Sequence, residues 1–364
     1  MSYARYDFEK LKQLAALAIH KNGISEEDSA MVADVLLGAD LYGIESHGIQ
    51  RLGLYINGMD IGRIKRDAVM KIVKETPVSA VIDAADGLAQ PVSVKAMNMA
   101  IDKASKIGFG MVVVRNSNHF GSAGYYSMLA AKKGLMGMAM TNAEALVAPT
   151  FGKRGMMGTN PIAISMPAAP TVWHFDVSTS VVTAGKMEVY ARSGKELPEG
   201  WAIDAAGNVN TRPETFLEIR KNKSTGGLLP LGGYGEKYGG HKGYGLSVWV
   251  ELMTGIFSLG ATAPDVRKVF NIEKCCHMFQ AVDYGIFGDK AEIEERFSKY
   301  LRDIRASEKA EGCERIFTHG EKEREFERDI LANGVPMHES TVREAIDICK
   351  KVGIEHEKYL EAVR

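Results

Sequence analysis

The sequence predicts an α/β chain in two parts: a helical domain assembled from both chain ends, residues 1–75 with 290–364, and a sheet with helices packed on it over 76–289. Three observations predict this. Apolar residues recur at helical spacing through the opening 70 residues. From Val78 to Val177, apolar runs of strand length alternate with helical faces. Beyond Gly288 the pattern turns charged and helical again. A chain of 364 residues is long for one core, and 45% hydrophobic with 25% charged residues is ordinary globular composition.

Taken in order, Leu11, Leu14, Ala15 and Ala18 line one face of a first helix, which Asn22-Gly23 stops. Ser25-Glu26-Glu27-Asp28 reads as a capping box, and Val32, Val35, Leu36 and Ala39 form the inner face of the helix that follows. Ala80-Val81-Ile82-Asp83 fits a strand, residues 92–107 a helix, and Met111-Val112-Val113-Val114 a second strand. A helix from Ser122 to Lys133 leads to strand-like runs at Leu135–Met140, Ile162–Met166 and Trp173–Val177. Nine glycines between Gly226 and Gly245 mark a functional loop or hinge that feeds an apolar helix, Leu246–Phe257. Charged helices are expected at Ala291–Ile304 and Glu321–Leu331, packing with the amino-terminal helices.

The 45 Lys and Arg against 46 Asp and Glu leave a net charge of −1, so no global field favours nucleic acid or an anionic membrane, and small molecules are the expected partners. No stretch approaches a membrane span or a secretory signal, which places the chain in the cytoplasm. The four cysteines, at 275, 276, 313 and 349, are too few and too late in the chain for a disulfide framework. Cys275-Cys276-His277 lacks the spacing of a zinc site and reads as structural, so no metal is expected. Neither a G-x-G-x-x-G fingerprint nor a Walker loop nor a G-x-S-x-G elbow is present, so a dinucleotide needs another cradle.

Four constellations carry possible chemistry. In Ser46-His47-Gly48-Ile49-Gln50-Arg51, a helix would set His47 and Arg51 on one face, where an imidazole moves a proton and a guanidinium fork holds a carboxylate. The competing reading is a solvated surface pair. His119, in Arg115-Asn116-Ser117-Asn118-His119-Phe120-Gly121, follows the valine run, where ligands gather beyond strand ends; the alternative is a turn whose histidine satisfies loop backbone. Gly158-Thr159-Asn160-Pro161 and Phe175-Asp176-Val177-Ser178-Thr179-Ser180 offer amides and hydroxyls to ribose and phosphate, although Asp176 equally fits a structural cap. Gly239-Gly240-His241-Lys242-Gly243-Tyr244-Gly245 joins close backbone approach to a helix amino terminus and a lysine charge, suited to pyrophosphate or carboxylate.

In this order, Tyr42-Gly43-Ile44-Glu45-Ser46-His47-Gly48 with Arg51 and Tyr55, Ser117–Gly121, Gly158–Pro161, Asp176–Thr179 and His241–Gly245 together resemble the malate/L-lactate dehydrogenase family, over nearly the whole chain. Relatives in that family include ureidoglycolate, sulfolactate and diketogulonate oxidoreductases. The resemblance implies a non-Rossmann α/β fold, with a central mixed, largely antiparallel sheet that binds cofactor and substrate and an all-helical domain from both ends, assembled as a homodimer. It implies hydride transfer between NAD, or NADP, and a small 2-hydroxy acid, malate with oxaloacetate first, and lactate, sulfolactate, ureidoglycolate, a diketo sugar acid or a cyclic imino acid as alternatives. His47 and His119 match the histidines of proton transfer; Ser46, Arg51, Tyr55 and Thr159 match substrate contacts. Thr141, Asn142, Ala143, Asp176, Ser178, Thr179, His241, Lys242, Gly320, Glu321 and Lys322 match positions that line the cofactor. Two positions depart from the pattern: His319 replaces a common proline, and Ala143 a serine or threonine.

Overall fold

The computed structural model describes residues 3–267 and 273–363; Met1, Ser2 and Arg364, on which the reading of the two termini drew, lie outside them. The chain opens with β1 (Tyr3–Tyr6), α1 (Phe8–Lys21) and α2 (Glu26–Leu41), and after two 3-10 turns continues with α3 (Leu52–Asp60). Both α1 and α2 start on side-chain caps: Asp7 accepts the Lys10 N–H at 2.8 Å and Ser25 accepts the Asp28 N–H at 3.1 Å. Then come β2 (Lys71–Glu75), β3 (Ser79–Asp83), α4 (Ala89–Ile107), β4 (Phe109–Ser117), α5 (Ala123–Ala131), β5 (Met136–Thr141), β6 (Ile162–Met166) and β7 (Trp173–Val177). A smaller body follows: α6 (Ala184–Arg192), β8 (Ala202–Ile203), β9 (Val209–Asn210), α7 (Pro213–Asn222) and β10 (Gly227–Leu228). The chain returns through α8 (Gly240–Glu251) to β11 (Cys275–Val282), and ends with α9 (Lys290–Ala306), α10 (Glu321–Asn333), β12 (Val335–His338) and α11 (Glu339–Val352).

Among the described residues the central sheet has seven strands in the order β2-β3-β4-β11-β5-β6-β7. Only β3 and β4 run parallel, joined by the crossover helix α4, and every other neighbouring pair is antiparallel. Alternation along β4 divides its side chains between two cores. Val112 and Val114 pack with α4 and α5 on one face, while Val113 packs on the other with Met140, Met278 and Val250 of α8. The result is a three-layer arrangement with the sheet in the middle.

A separate core joins the chain ends: Leu11, Leu14, Ile19, Leu36, Leu52 and Ile56 pack with Ile330, Val335, Met337, Ile348 and Cys349. Its periphery departs from the all-helical expectation. β1 and β12 form an antiparallel two-stranded sheet there, with Tyr3 opposite His338 and Tyr6 opposite Val335. These strands are four residues each, too short for periodicity to reveal. β2 begins at Lys71 and pairs with β3 as an exposed edge strand of the central sheet. α9 packs against β7 instead of joining the end core: Phe297 meets the Trp173 ring edge-on, and Ser298 Oγ accepts the Ala169 N–H.

The expected helix Leu246–Phe257 begins earlier, at Gly240, and passes into a π-helical turn at Leu252–Ile256. The glycines belong inside the helix because its first turns lie against the chain at 231–235. A Cβ at Gly240 would fall 2.2 Å from the Gly233 oxygen, and one at Gly243 2.1 Å from the Leu231 oxygen. Among the described residues no helix is long and apolar enough to cross a membrane.

Candidate active site

His47 and His119 meet. Their rings stack with centroids 5.5 Å apart and an interplanar angle of 26°. His47 closes a 3-10 turn (Glu45–His47) just after α2, and His119 sits in the loop that leaves β4, at the carboxyl end of a central strand. The sheet thus delivers one imidazole and the chain-end domain the other.

His47 and Arg51 do not share a helix face as the spacing suggested. Gly48 adopts an extended conformation between two 3-10 turns, so the segment folds back on itself. Arg51 Nε then donates to the Ser46 carbonyl at 2.6 Å, and Ser46 Oγ lies 2.9 Å from His47 Nδ1. Arg51 and Ser46 line a cavity of about 570 Å³, which they share with Arg192 of α6 and Glu344 of α11.

Tyr55, on α3, is 1% exposed, and its hydroxyl lies 2.9 Å from His119 Nδ1. The Gly121 N–H also donates to that nitrogen, at 3.3 Å, which assigns Nδ1 as acceptor and Nε2 as the nitrogen bearing the proton in the neutral ring. Burial lowers the pKa of His47 to about 3, helped by the charges of His119 and Arg51. Burial likewise lowers His119 to about 4, against the opposing pull of Glu273. Two neutral, stacked imidazoles beside a guanidinium can exchange a proton with an oxygen whose neighbouring carboxylate the arginine holds.

Glu273 carries no sequence signal, yet it supports this pair. Its carboxylate is buried, accepts the His119 backbone N–H at 2.9 Å, and is held by Arg267 with Arg63 at 3.5 Å. Arg267, with His119 adding to it, keeps it below the usual carboxylate range in spite of burial. A regular pattern of acidic residues could not have revealed it, since its partners come from three separate stretches of chain.

The residues matched to the cofactor fall into three places. At the ends of β5 and β7, Asn142 donates to Glu251 Oε2 at 3.2 Å and the Ala261 oxygen at 2.8 Å, while its own oxygen accepts the Cys276 N–H. Thr141 bonds His277 Nδ1 at 2.7 Å, and Thr179 Oγ1 donates to the carbonyls of Thr159 and Asn160. These side chains therefore tie the sheet to its loops, and Ala143 and Ser178 stand half-buried beside them. Asp176 caps α5: its Oδ2 accepts from Ser122 Oγ at 2.9 Å and the Gly124 N–H at 2.7 Å. Next to it Gly320 starts α10, with Glu321 accepting the Thr318 N–H and Lys322 exposed. His241 and Lys242 are exposed on the first turn of α8.

Cys275 and Cys276 are buried on β11, and His277 stacks on Phe120 with ring centroids 4.6 Å apart, so that cluster is part of the core. Among the described residues no group of three or more histidine, cysteine or acidic side chains could hold a metal ion.

Comparison with known proteins agrees over the whole fold. The family model described as malate/L-lactate dehydrogenase matches residues 6–345. The chain is 41% identical over 355 residues to the malate dehydrogenase of Pyrococcus horikoshii, covering 97% of each, and 37% identical over 356 residues to the L-sulfolactate dehydrogenase of Methanocaldococcus jannaschii, covering 97% of this chain and 98% of that one. The crystal structure of malate dehydrogenase from Entamoeba histolytica superposes with a TM-score of 0.94 at 36% identity, over 97% of this chain and 99% of that one.

Proposed function

This chain belongs to the malate/L-lactate dehydrogenase family of oxidoreductases, and from that premise we propose that it interconverts malate and oxaloacetate with NAD, NADP being the alternative cofactor. The observation that carries this reading is the stacked pair His47 and His119 beside Arg51. Arg51 takes the substrate carboxylate with its guanidinium fork, a geometry that carboxylates match in a bidentate way. The C2 oxygen lies against the imidazoles. Because Tyr55 O–H and Gly121 N–H both donate to Nδ1 of His119, that ring faces substrate with Nε2–H, which donates a hydrogen bond to the C2 oxygen, and the transferred proton passes to or from His47. The half-buried setting limits water around the reacting oxygen.

A nicotinamide, when bound, supplies or takes the hydride at C2. The chain's residues fit a dinucleotide. The first turn of α8 has no side-chain cap and exposes His241 and Lys242, and the buried atoms Asn160 Oδ1 and His174 Nε2 have no hydrogen-bond partner among the described residues. Lys242, Ser178, Ala143 and the start of α10 at Gly320–Lys322 would contact it, while Thr141, Asn142, Asp176 and Thr179 hold the loops that do so. A homodimer is the expected assembly, supported by exposed Leu246, Leu252, Ile256, Phe257 and Leu259 on and after α8. Sulfolactate is the second reading, favoured by the relative of that name at 37% identity.

The test is absorbance at 340 nm with NADH and NADPH against oxaloacetate, sulfopyruvate, pyruvate and other 2-oxo acids. Turnover of oxaloacetate with NADH is expected, and His47→Ala or His119→Ala should each reduce it by about 10² to 10⁴-fold, the range of general acid-base help, with the fold intact. Full activity in both variants overturns the assignment.

A further inference from the structure

Asp40 is a buried carboxylate that no reading of the site has used. It is 4% exposed, on the last turn of α2, and its Oδ2 accepts the Ile49 N–H at 2.7 Å. Ile49 opens the 3-10 turn Ile49–Arg51, whose cap residue is Gly48 and therefore has no side chain to satisfy the first N–H groups. Asp40 supplies from α2 the acceptor that a serine or aspartate cap supplies locally. The fit is close: a Cβ on Gly48 would fall 1.8 Å from Asp40 Oδ1, so only glycine lets the backbone lie on the carboxylate. Gly48 is in an extended, unstrained conformation, which leaves this contact as the reason for glycine there.

We propose that Asp40 is a positioning residue: by clamping Gly48 and Ile49 from below, it sets the fold-back that places His47 and Arg51 against the substrate. This rests on the reading of those two residues given above. Burial, with the Glu45 charge adding to it, pushes the Asp40 carboxyl up to about 8. The Ile49 N–H needs only an oxygen acceptor at this place, which asparagine also supplies.

The experiment combines Asp40→Ala, Asp40→Asn, Gly48→Ala and the double variant Asp40→Ala/Gly48→Ala, with thermal unfolding as the fold control. Asp40→Ala should lower kcat/KM for the 2-oxo acid by on the order of 10²-fold, the effect of misplacing reacting groups by about an ångström. The loss should appear in both kcat and KM, since a proton-transfer group and a carboxylate clamp move together. Asp40→Asn should recover about tenfold of it through the retained hydrogen bond. Gly48→Ala should match Asp40→Ala, and the double variant should be no worse than Asp40→Ala, because without the carboxylate the added methyl has room. A second readout needs no turnover: with ring-labelled histidines, Asp40→Ala should shift the His47 NMR signals and leave those of His174 in place. Wild-type activity in Asp40→Ala, multiplicative losses in the double variant, or unmoved His47 signals overturn the proposal. If the wild type reduces no 2-oxo acid, the functional reading fails and the ring signals alone decide the role of Asp40.

Discussion

Tyr55 separates two roles that a resemblance leaves merged. As a match to family substrate contacts it would touch the acid; in the fold its hydroxyl is buried and bonded to His119 Nδ1 at 2.9 Å. Replacing it by phenylalanine keeps the ring packing and removes the hydroxyl that holds Nδ1 as acceptor and so presents Nε2–H to substrate. Tyr55→Phe should then lower kcat about tenfold, the worth of roughly one hydrogen bond, with KM for the 2-oxo acid little changed. Steady-state kinetics decide between the roles: a raised KM at constant kcat would make Tyr55 a substrate contact instead. The lowered pKa values of His47 and His119 belong to the same scale. With the pair at about 3 and 4 in the free protein, both rings are neutral at pH 7, so His47 can accept the hydroxyl proton of malate and His119 can donate Nε2–H to the same oxygen well into the acid range. Such a coupled pair reports joint values in any pH profile.

At the scale of elements, one buried carboxylate of α8 gathers several bonds from the loops of the sheet. Glu251 Oε1 accepts from Asn160 at 2.9 Å, and Oε2 accepts from Asn142 at 3.2 Å and the Ala263 N–H at 3.1 Å. One side chain thereby fixes the loops after β5 and before β6. Glu251→Leu would take an acceptor from three buried N–H groups, leaving Ala263 with none while Asn142 keeps the Ala261 oxygen and Asn160 that of Ser247, and a cost of about 2 kcal/mol or more is expected, measured by chemical denaturation, while Glu251→Gln should cost less because one acceptor remains. None of this wiring was legible, since Asn160 and Asn142 lie 91 and 109 residues from Glu251 along the chain and even Ala263 lies 12 away. What was legible was local: the stop of α1 at Asn22-Gly23, the capped start of α2, the valine run of β4, and the matched bounds of β6 and β7. β11, the middle strand of the sheet, escaped notice. Its sequence Cys-Cys-His-Met-Phe-Gln-Ala-Val is buried at nearly every position, so it does not alternate, and Val282 is its one branched residue. At the site, the residues that meet were found by motif, but the turn geometry joining His47 to Arg51 was not. It depends on Asp40, which lies outside the motif.

At the scale of the molecule, buried histidines make stability depend on pH. His277 is 0% exposed on β11, and burial lowers its pKa to about 3. The sign follows from linkage: the unfolded chain binds its proton near the ordinary 6.5, the native state only near 3. The neutral ring's contribution is therefore complete above about pH 6.5 and is lost as the pH falls through that value toward 3. Asp40, Asp176 and Glu251, whose carboxyls burial raises, act in the opposite sense over part of this window, so the wild-type curve alone is a sum of both. A difference isolates the histidine. His277→Gln keeps a polar group near Thr141 and removes the titration, so between pH 7.5 and pH 5.5 the wild type should lose about 1.4 kcal/mol more unfolding free energy than the variant, one pKa unit's worth. Denaturant midpoints at the two pH values measure it. Parallel losses in both proteins would mean that acid reaches the core by another group, and the stacked His277 and Phe120 layer under the active-site loop would then be stable to protonation.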